Sequence, residues 1–438
     1  MDQLELQDTS LRVRIAGLAR RRVTGDLVMT AGSRWVQILL GLIGSVVSAR
    51  VLGPSELGRF GLVISIIMVF GTIADAGLTY SAIRLIARNA ETDLQKAHAV
   101  ARSYFRLRVI SGVSMAILGI PLSWTLAWLL GYPDLVPYLQ LAFLTLISLS
   151  LSSYPNTVLV GLAHFRQLGI AGVLNAVITV AGILILFFTG VLSLGTLIAW
   201  NVILPLVSSL PSWLVMPREW LPWRLWHVGE VGLRTEVRRE LVAFGKWIGL
   251  SLVGTMLVTQ GDVLLLGRLA TPAAVGVYSV ALALASRLDT LNQSLFTIMM
   301  PRASRLEGIS SIKSYWRQVA FGSAGLAVGL GGAALVAQPL IVLLYGERYA
   351  ASAGLFLALL VVVLFDLATS SLFLLVFPLN KPRLLAAADW LRVAVFGVTG
   401  FLLIPVYGAF GAVVARFIAR VTGTALALLN LRRAINKE

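Results

Sequence analysis

Residues 49–62 read ARVLGPSELGRFGL, and residues 267–280 read GRLATPAAVGVYSV. Each block joins two apolar runs of about 25 residues, long enough as helices to cross a hydrocarbon layer about 30 Å thick. Sliding the chain by 218 residues places Arg50 on Arg268, Pro54 on Pro272, Leu57 on Val275, Gly58 on Gly276 and Phe60 on Tyr278. At the same offset Ser33 falls on Ser251 and Arg84 on Arg302. The offset is almost half of the 438 residues, and several matches at one offset indicate an internal duplication. In each copy a Pro-containing turn ends one helix and starts the next, and Gly58 and Gly276 permit close helix packing beside the bend. Arg50 and Arg268 read most simply as interfacial anchors.

Outward from these blocks the same texture continues. The chain is 58% hydrophobic and 13% charged, where soluble domains carry roughly a quarter charged residues. Apolar runs predict twelve spans: 26–49, 58–83, 109–130, 137–162, 168–189, 195–216, 242–267, 276–300, 319–344, 353–378, 384–405 and 409–430. The runs lack the alternation of barrel strands. The first is too long for a signal-peptide core and has no small-residue cleavage site, so it reads as a retained span. With six spans in each half, both halves enter the membrane from the same side. They form parallel repeats about an axis along the membrane normal. The expected fold is an all-α polytopic membrane protein with twelve transmembrane helices in two parallel six-helix lobes around a central cavity. The expected units are a basic N-terminal tail at 1–25, a lobe at 26–216, a basic linker at 217–241, a second lobe at 242–430 and a tail at 431–438.

The net charge of +16 could suggest a nucleic-acid partner, but its placement argues otherwise. Most of the Lys and Arg fall in the N-terminal tail (Arg12, Arg14, Arg20, Arg21, Arg22), the even-to-odd loops and the C-terminal tail (Arg432, Arg433, Lys437). Only Arg50, Arg59, Arg268 and Arg348 fall on the opposite side. Positive residues stay cytoplasmic, so both termini and the long loops are expected inside. Topology then accounts for the basicity, and no nucleic acid is expected. Trp220, Trp223 and Trp226, in the basic linker, suggest an amphipathic segment on the inner membrane face.

The block LGPSELGRFGL, then Asp75-Ala76-Gly77-Leu78, then GDVLLLGRLATPAAVGVYSVALAL at 261–284, resembles the polysaccharide-biosynthesis flippases of the multidrug/oligosaccharidyl-lipid/polysaccharide exporter superfamily. The resemblance rests on Leu52-Gly53 to Gly58, Asp75 to Leu78, Asp262 to Gly267 and Val275 to Tyr278, and covers about residues 25 to 430. It implies two six-helix lobes around a V-shaped cavity in a bacterial inner membrane. It also implies an oligosaccharide substrate on polyprenyl diphosphate, of the undecaprenyl type, turned from the inner to the outer leaflet. Membrane lipids, a polymerase and export machinery are the further partners implied. Twelve spans favour the O-antigen, capsule or exopolysaccharide branch. Multidrug exporters share the fold and are the alternative.

An ion within a bilayer costs at least about 2.5 kcal/mol, so charges inside spans are functional candidates. They are Arg34, Asp75, Asp262, Arg287, Asp289, Asp366, Asp389, Arg392, Arg416 and Arg420. Guanidinium binds phosphate oxygens bidentately and does not lose its proton. Arg34, Arg287, Arg416 and Arg420 are therefore the expected diphosphate ligands. The last two share a helix face, being four residues apart. Ion pairing within the bundle is the competing reading, and Asp389 with Arg392 fits it. Asp75 and Asp366 are the expected ion-coupling residues, since a membrane carboxylate can take up a proton or Na⁺. Helix packing is their alternative. Asp262, near the end of its span, reads as an anchor. Gln37, Asn156, Asn175, Asn201, Gln260, Asn292 and Gln293 serve either as interhelical hydrogen-bonding groups or as partners of sugar hydroxyls.

His98, His164 and His227 fall at loops or edges and do not form a relay. There is no cysteine, no HExxH and no G-x-x-x-x-G-K-[ST]. Neither a metal site nor a nucleotide or other cofactor is expected, and the outer loops are too short for a catalytic domain. The residues read as a transporter, not an enzyme, working by alternating access.

Overall fold

The computed structural model describes residues 2–227, 231–303, 331–332, 335–376 and 382–435, with side chains described mainly within 32–225, 232–288, 335–366 and 389–426. The described elements are helical and include no strand. They are α1 (Asp2–Asp75), α2 (Leu78–Asn89), α3 (Leu94–Leu130), α4 (Val136–Phe143), α5 (Thr145–Gly161), α6 (Phe165–Phe188), α7 (Leu194–Val215), α8 (Val231–Leu269), α9 (Pro272–Ala303), α10 (Leu335–Tyr345), α11 (Ser352–Val376), α12 (Pro382–Tyr407) and α13 (Ala409–Ile435).

Eight of the described helices are long and apolar enough to cross a membrane. One of them, Gly32–Asp75, holds the first two spans, because the chain breaks within it at Gly53. Three shorter apolar stretches, Pro272–Leu288, Leu335–Tyr345 and Ser352–Asp366, fill the places of the eighth, ninth and tenth spans. The protein is thus an all-α polytopic membrane protein of the twelve-helix, two-lobe type. Large apolar side chains point outward along the helices, among them Trp128, Phe188, Leu214 and Leu343, as a lipid solvent demands.

The hairpin joint is tighter than a loop. Gly53 alone leaves helical geometry, at φ 71° and ψ 174°, and Pro54 opens the next arm. Glycine tolerates that φ at little cost, and proline suits a first helical turn where no N–H is needed. Arg50 does more than anchor. Its Nε and Nη2 donate to the carbonyls of Leu344 and Leu343, at 2.7 and 2.5 Å, at the end of α10. There the helix dipole and unpaired carbonyls favour a cation.

The second span is shorter than its hydropathy indicates. α1 stops at Asp75, Ala76 and Gly77 take positive φ, and α2 starts at Leu78. α3 starts earlier than the third span implies, at Leu94, where the Asp93 side chain accepts from the Lys96 N–H at 2.8 Å. Arg108, expected in a loop, therefore lies within a helix.

The two duplicated blocks pack against each other. A Cβ on Gly58 would lie 1.8 Å from the Pro272 carbonyl oxygen, and one on Gly276 would lie 1.9 Å from that of Pro54. Each repeat's glycine meets the other repeat's proline, a reciprocal contact of the kind a two-fold relation produces. A shared core surrounds it, with Leu62, Val63 and Phe143 from one half and Val275, Tyr278 and Leu359 from the other.

At the opposite end of the bundle the segment after α7 docks on α3 and α5. Trp220 is 1% exposed, lies edge-on to His98 at 4.6 Å, and receives the Tyr154 hydroxyl on its carbonyl at 2.6 Å. Trp223 is exposed and stacks on Trp213. Of the three linker tryptophans, then, Trp220 is core. The Trp226 side chain lies outside the described residues.

Candidate functional site

Between the halves lies a cavity of about 470 Å³. Its walls come from both arms of α1, from α6 and α7, and from α8, α9, α10 and α13. Small and hydroxylated residues recur on α1 at helical spacing: Gly44, Ser45, Ser48, and then Gly61 and Ser65. Ser65 donates to Gln260 Oε1 at 3.0 Å, and the Ser45 and Tyr345 hydroxyls are 2.8 Å apart. Asn201 donates to the Leu197 carbonyl at 2.9 Å. Trp200, beside it, has a buried indole N–H with no hydrogen-bond partner among the described residues. Its ring is held against α6, where a Cβ on Gly182 would meet it at 2.0 Å.

Among the described residues one lining side chain is charged, Arg416. It is 8% exposed and its Nη1 donates to Asp262 Oδ2. Asp262 is fully buried, accepts the Tyr278 hydroxyl at 2.5 Å, and takes the Val263 N–H on its other oxygen at 2.8 Å. The anchor reading of Asp262 thus gives way to a buried ion pair joining α8, α9 and α13.

Five more of the intramembrane charges pair with an opposite charge. Arg420 Nε lies 3.6 Å from Asp366 Oδ2, with the two side chains 28% and 22% exposed. Arg392 Nη1 donates to Asp389 at 3.1 Å, and Ser251 also donates to that acid. Asp75 faces Arg108 Nε at 3.3 Å and accepts from Thr79. Arg108 in turn donates to Ser150 at 3.2 Å. Arg34 is exposed on α1, away from the cavity lining. Arg287 follows the lining residue Ser286 on α9 and approaches α1, its Nη2 3.7 Å from a Cβ built on Gly41. Its buried Nη1 has no hydrogen-bond partner among the described residues.

Of the six expected site residues, only Arg416 lines the cavity. Asp366 and Arg420 join each other, and Asp75 joins Arg108. Two of the intramembrane amides also line it, Asn201 and Gln260. Asn156 accepts from Ser212 at 2.8 Å, a contact between α5 and α7. The side chains of Asp289, Asn292 and Gln293 lie outside the described residues. Sequence reasoning missed Trp200, Tyr345 and the α1 serines as lining. The serine spacing of a helix face was the available signal.

Comparison with known proteins adds the family. No curated protein matches the chain. A multidrug resistance MATE family transporter of the MOP superfamily, in an outward-facing conformation, superposes with a TM-score of 0.63 at 17% identity, covering 93% of this chain and 96% of that one. The Vibrio cholerae MATE transporter VcmN gives 0.62 at 18%, covering 95% and 98%. The eukaryotic MATE transporter AtDTX14 gives 0.64 at 15%, covering 94% and 95%. These likenesses establish the fold. Residues 25–307 match the model of the family described as "Polysaccharide biosynthesis protein", and with well over half its length so matched, the chain belongs to that family.

Proposed function

We propose that this chain is a flippase of polyprenyl-diphosphate-linked oligosaccharide, moving it from the inner to the outer leaflet of a bacterial cytoplasmic membrane, with both termini inside. The observation that carries the reading is the cavity between the two repeats. Its walls are largely apolar (Leu57, Phe60, Ile64, Leu204 and Leu282 among them), set with a minority of hydroxyl and amide groups, and among the described residues they are touched by a cation rather than an acid. The hydroxyl and amide groups offer partners to sugar hydroxyls and the apolar surface packs against sugar ring faces, while the polyprenyl tail stays in lipid beside the lobes.

The lobes rock about this cavity, opening it to one leaflet and then the other. The Gly58–Pro272 and Gly276–Pro54 contacts close the outer end and must part for release. Of the four arginines expected to meet substrate, Arg34, exposed on α1, receives the headgroup as it enters from the inner leaflet, Arg287 and Arg420 hold the diphosphate, and Arg416, paired with Asp262, contributes to the wall beside the sugar. Arg287 engages the diphosphate first, because it stands next to the lining residue Ser286 and has a buried N–H without a partner among the described residues. Arg420 follows by leaving Asp366. That exchange frees a carboxylate to take up a proton or Na⁺, which couples substrate to cation. Asp75, released from Arg108, is the second coupling carboxylate. An ion pair within the membrane resists loss of one partner unless another replaces it, so such exchanges link the two binding events.

The test is deletion of the gene in its host, with mass spectrometry of polyprenyl-linked glycans. Accumulation of one lipid-diphosphate oligosaccharide, with loss of the matching surface polymer, is expected. An unchanged inventory in a polymer-making host, together with new sensitivity to cationic compounds, overturns the reading in favour of a multidrug exporter.

A further inference from the structure

The cavity wall carries a cation whose charge is already spent. Arg416 is balanced in direct contact by Asp262, and both carboxylate oxygens are satisfied, one by Val263 N–H and the other by Tyr278 and Arg416. Asp262 is 0% exposed, so water does not reach it to weaken the pair. Among the described residues the remaining lining is mostly apolar, and its polar groups donate and accept without charge. From this we infer that the cavity selects an uncharged glycan, and that Asp262 is the specificity-determining residue that keeps it so. The inference rests on the flippase reading and specifies its substrate class: a short neutral sugar unit whose diphosphate sits at the cavity edge beside Arg287.

The argument is one of desolvation. A sugar hydroxyl entering the cavity exchanges water for Ser, Asn or Gln partners at little net cost. The Trp200 N–H, buried in the wall and without a partner among the described residues, becomes a further donor to such an oxygen once the ring turns toward the cavity. A sugar carboxylate must shed a far stronger hydration shell, and it meets a guanidinium that another carboxylate already holds. To use Arg416 it must either displace a buried Asp262, leaving that charge unpaired, or approach with two acids on one cation. Like charges at close range disfavour the wrong partner. The volume of about 470 Å³ falls within the usual span of small-ligand sites, which fits a few sugars rather than a long chain.

Removing the carboxylate inverts the selection. Asp262→Asn leaves Arg416 with an uncompensated positive charge at the wall, and an acidic sugar then supplies the missing anion. Asp262→Asn together with Arg416→Gln removes both charges and keeps the wall neutral.

The experiment is flipping by the full chain in proteoliposomes. Two probes are used: undecaprenyl diphosphate bearing a neutral disaccharide, and the same lipid bearing a disaccharide that ends in a hexuronic acid. The unaltered protein should flip the neutral probe at least about tenfold faster. Asp262→Asn should reverse or abolish that ratio, and the double variant should restore a neutral preference. If the unaltered protein flips both probes equally or prefers the uronate, the inference falls while the flippase reading stands. If it flips neither, the flippase reading falls and this inference with it. Should Asp262→Asn fail to fold, the ratio in the unaltered protein and in the double variant decides.

Discussion

Arg416 and Arg420 stand one turn apart on α13, and each faces an acid, yet the two pairs are built differently. Arg416 meets Asp262 in a sealed junction of three helices, with a tyrosine hydroxyl and a backbone N–H completing the carboxylate. Arg420 meets Asp366 at 3.6 Å, both side chains partly open. Sequence spacing makes these arginines equivalent, but burial separates them. The sealed pair behaves as a neutral structural unit, because removing either partner strands a charge. The open pair, longer and partly accessible, can trade partners when a ligand anion takes the place of the acid, which is what a coupling element needs.

The comparison breaks most easily through stability. Asp262→Asn should cost about 3–5 kcal/mol of unfolding free energy, and Asp366→Asn clearly less, because its pair is longer and partly open. Denaturation of the purified protein in detergent measures both, and equal losses would erase the distinction.

A second test moves to the junction that holds the sealed pair's end of the bundle together. Gly58→Leu places a side chain where only hydrogen fits, costing about 3 kcal/mol at the upper end of overpacking. The chain has no cysteine, so a single reporter is clean. Ser279→Cys, in the cavity wall beside this contact, should be protected from an impermeant thiol reagent in the parent and should label several-fold faster once Gly58→Leu is added. Unchanged labelling would show that the contact does not gate the cavity.

The open pair should yield in transport rather than stability. Arg420→Gln should slow flipping about tenfold, equivalent to about 1.4 kcal/mol, while the melting temperature hardly moves. A large melting shift with normal flipping would reverse the roles assigned to the two arginines. The smallest effect is expected at Trp200→Phe. It keeps the ring and removes one N–H donor, raising half-saturation by roughly fivefold, about 1 kcal/mol.

Much of the architecture was legible. Hydropathy marks the spans because a lipid solvent forces backbone groups into helices and apolar side chains outward. The duplicated block was visible as matched Arg, Pro and Gly. The edges were less so, since hydropathy does not see backbone conformation. Span two breaks at Ala76–Gly77, and α3 begins well before its apolar stretch. Arg108 was consequently placed in a loop, and its pairing with Asp75 was invisible. In the site, the intramembrane charges stood out one by one, but their partners did not, except for Asp389 and Arg392 at helical spacing. Asp262 and Arg416 are 154 residues apart, and no local pattern links them.

The amino-acid sequence alone determined that this chain lives in a membrane as a bundle of helices in two like halves, because those properties follow from composition, run length and repetition. It also determined that glycine stands at the joint of each half. Only the tertiary structure decided that the two joints meet, that Trp220 lies in the core, and that the one charged wall residue among the described residues is neutralised. Those outcomes depend on which helix faces come together across the bundle. A charge on one span has no fixed meaning until the opposing span shows whether an acid, a hydroxyl or an open cavity lies before it.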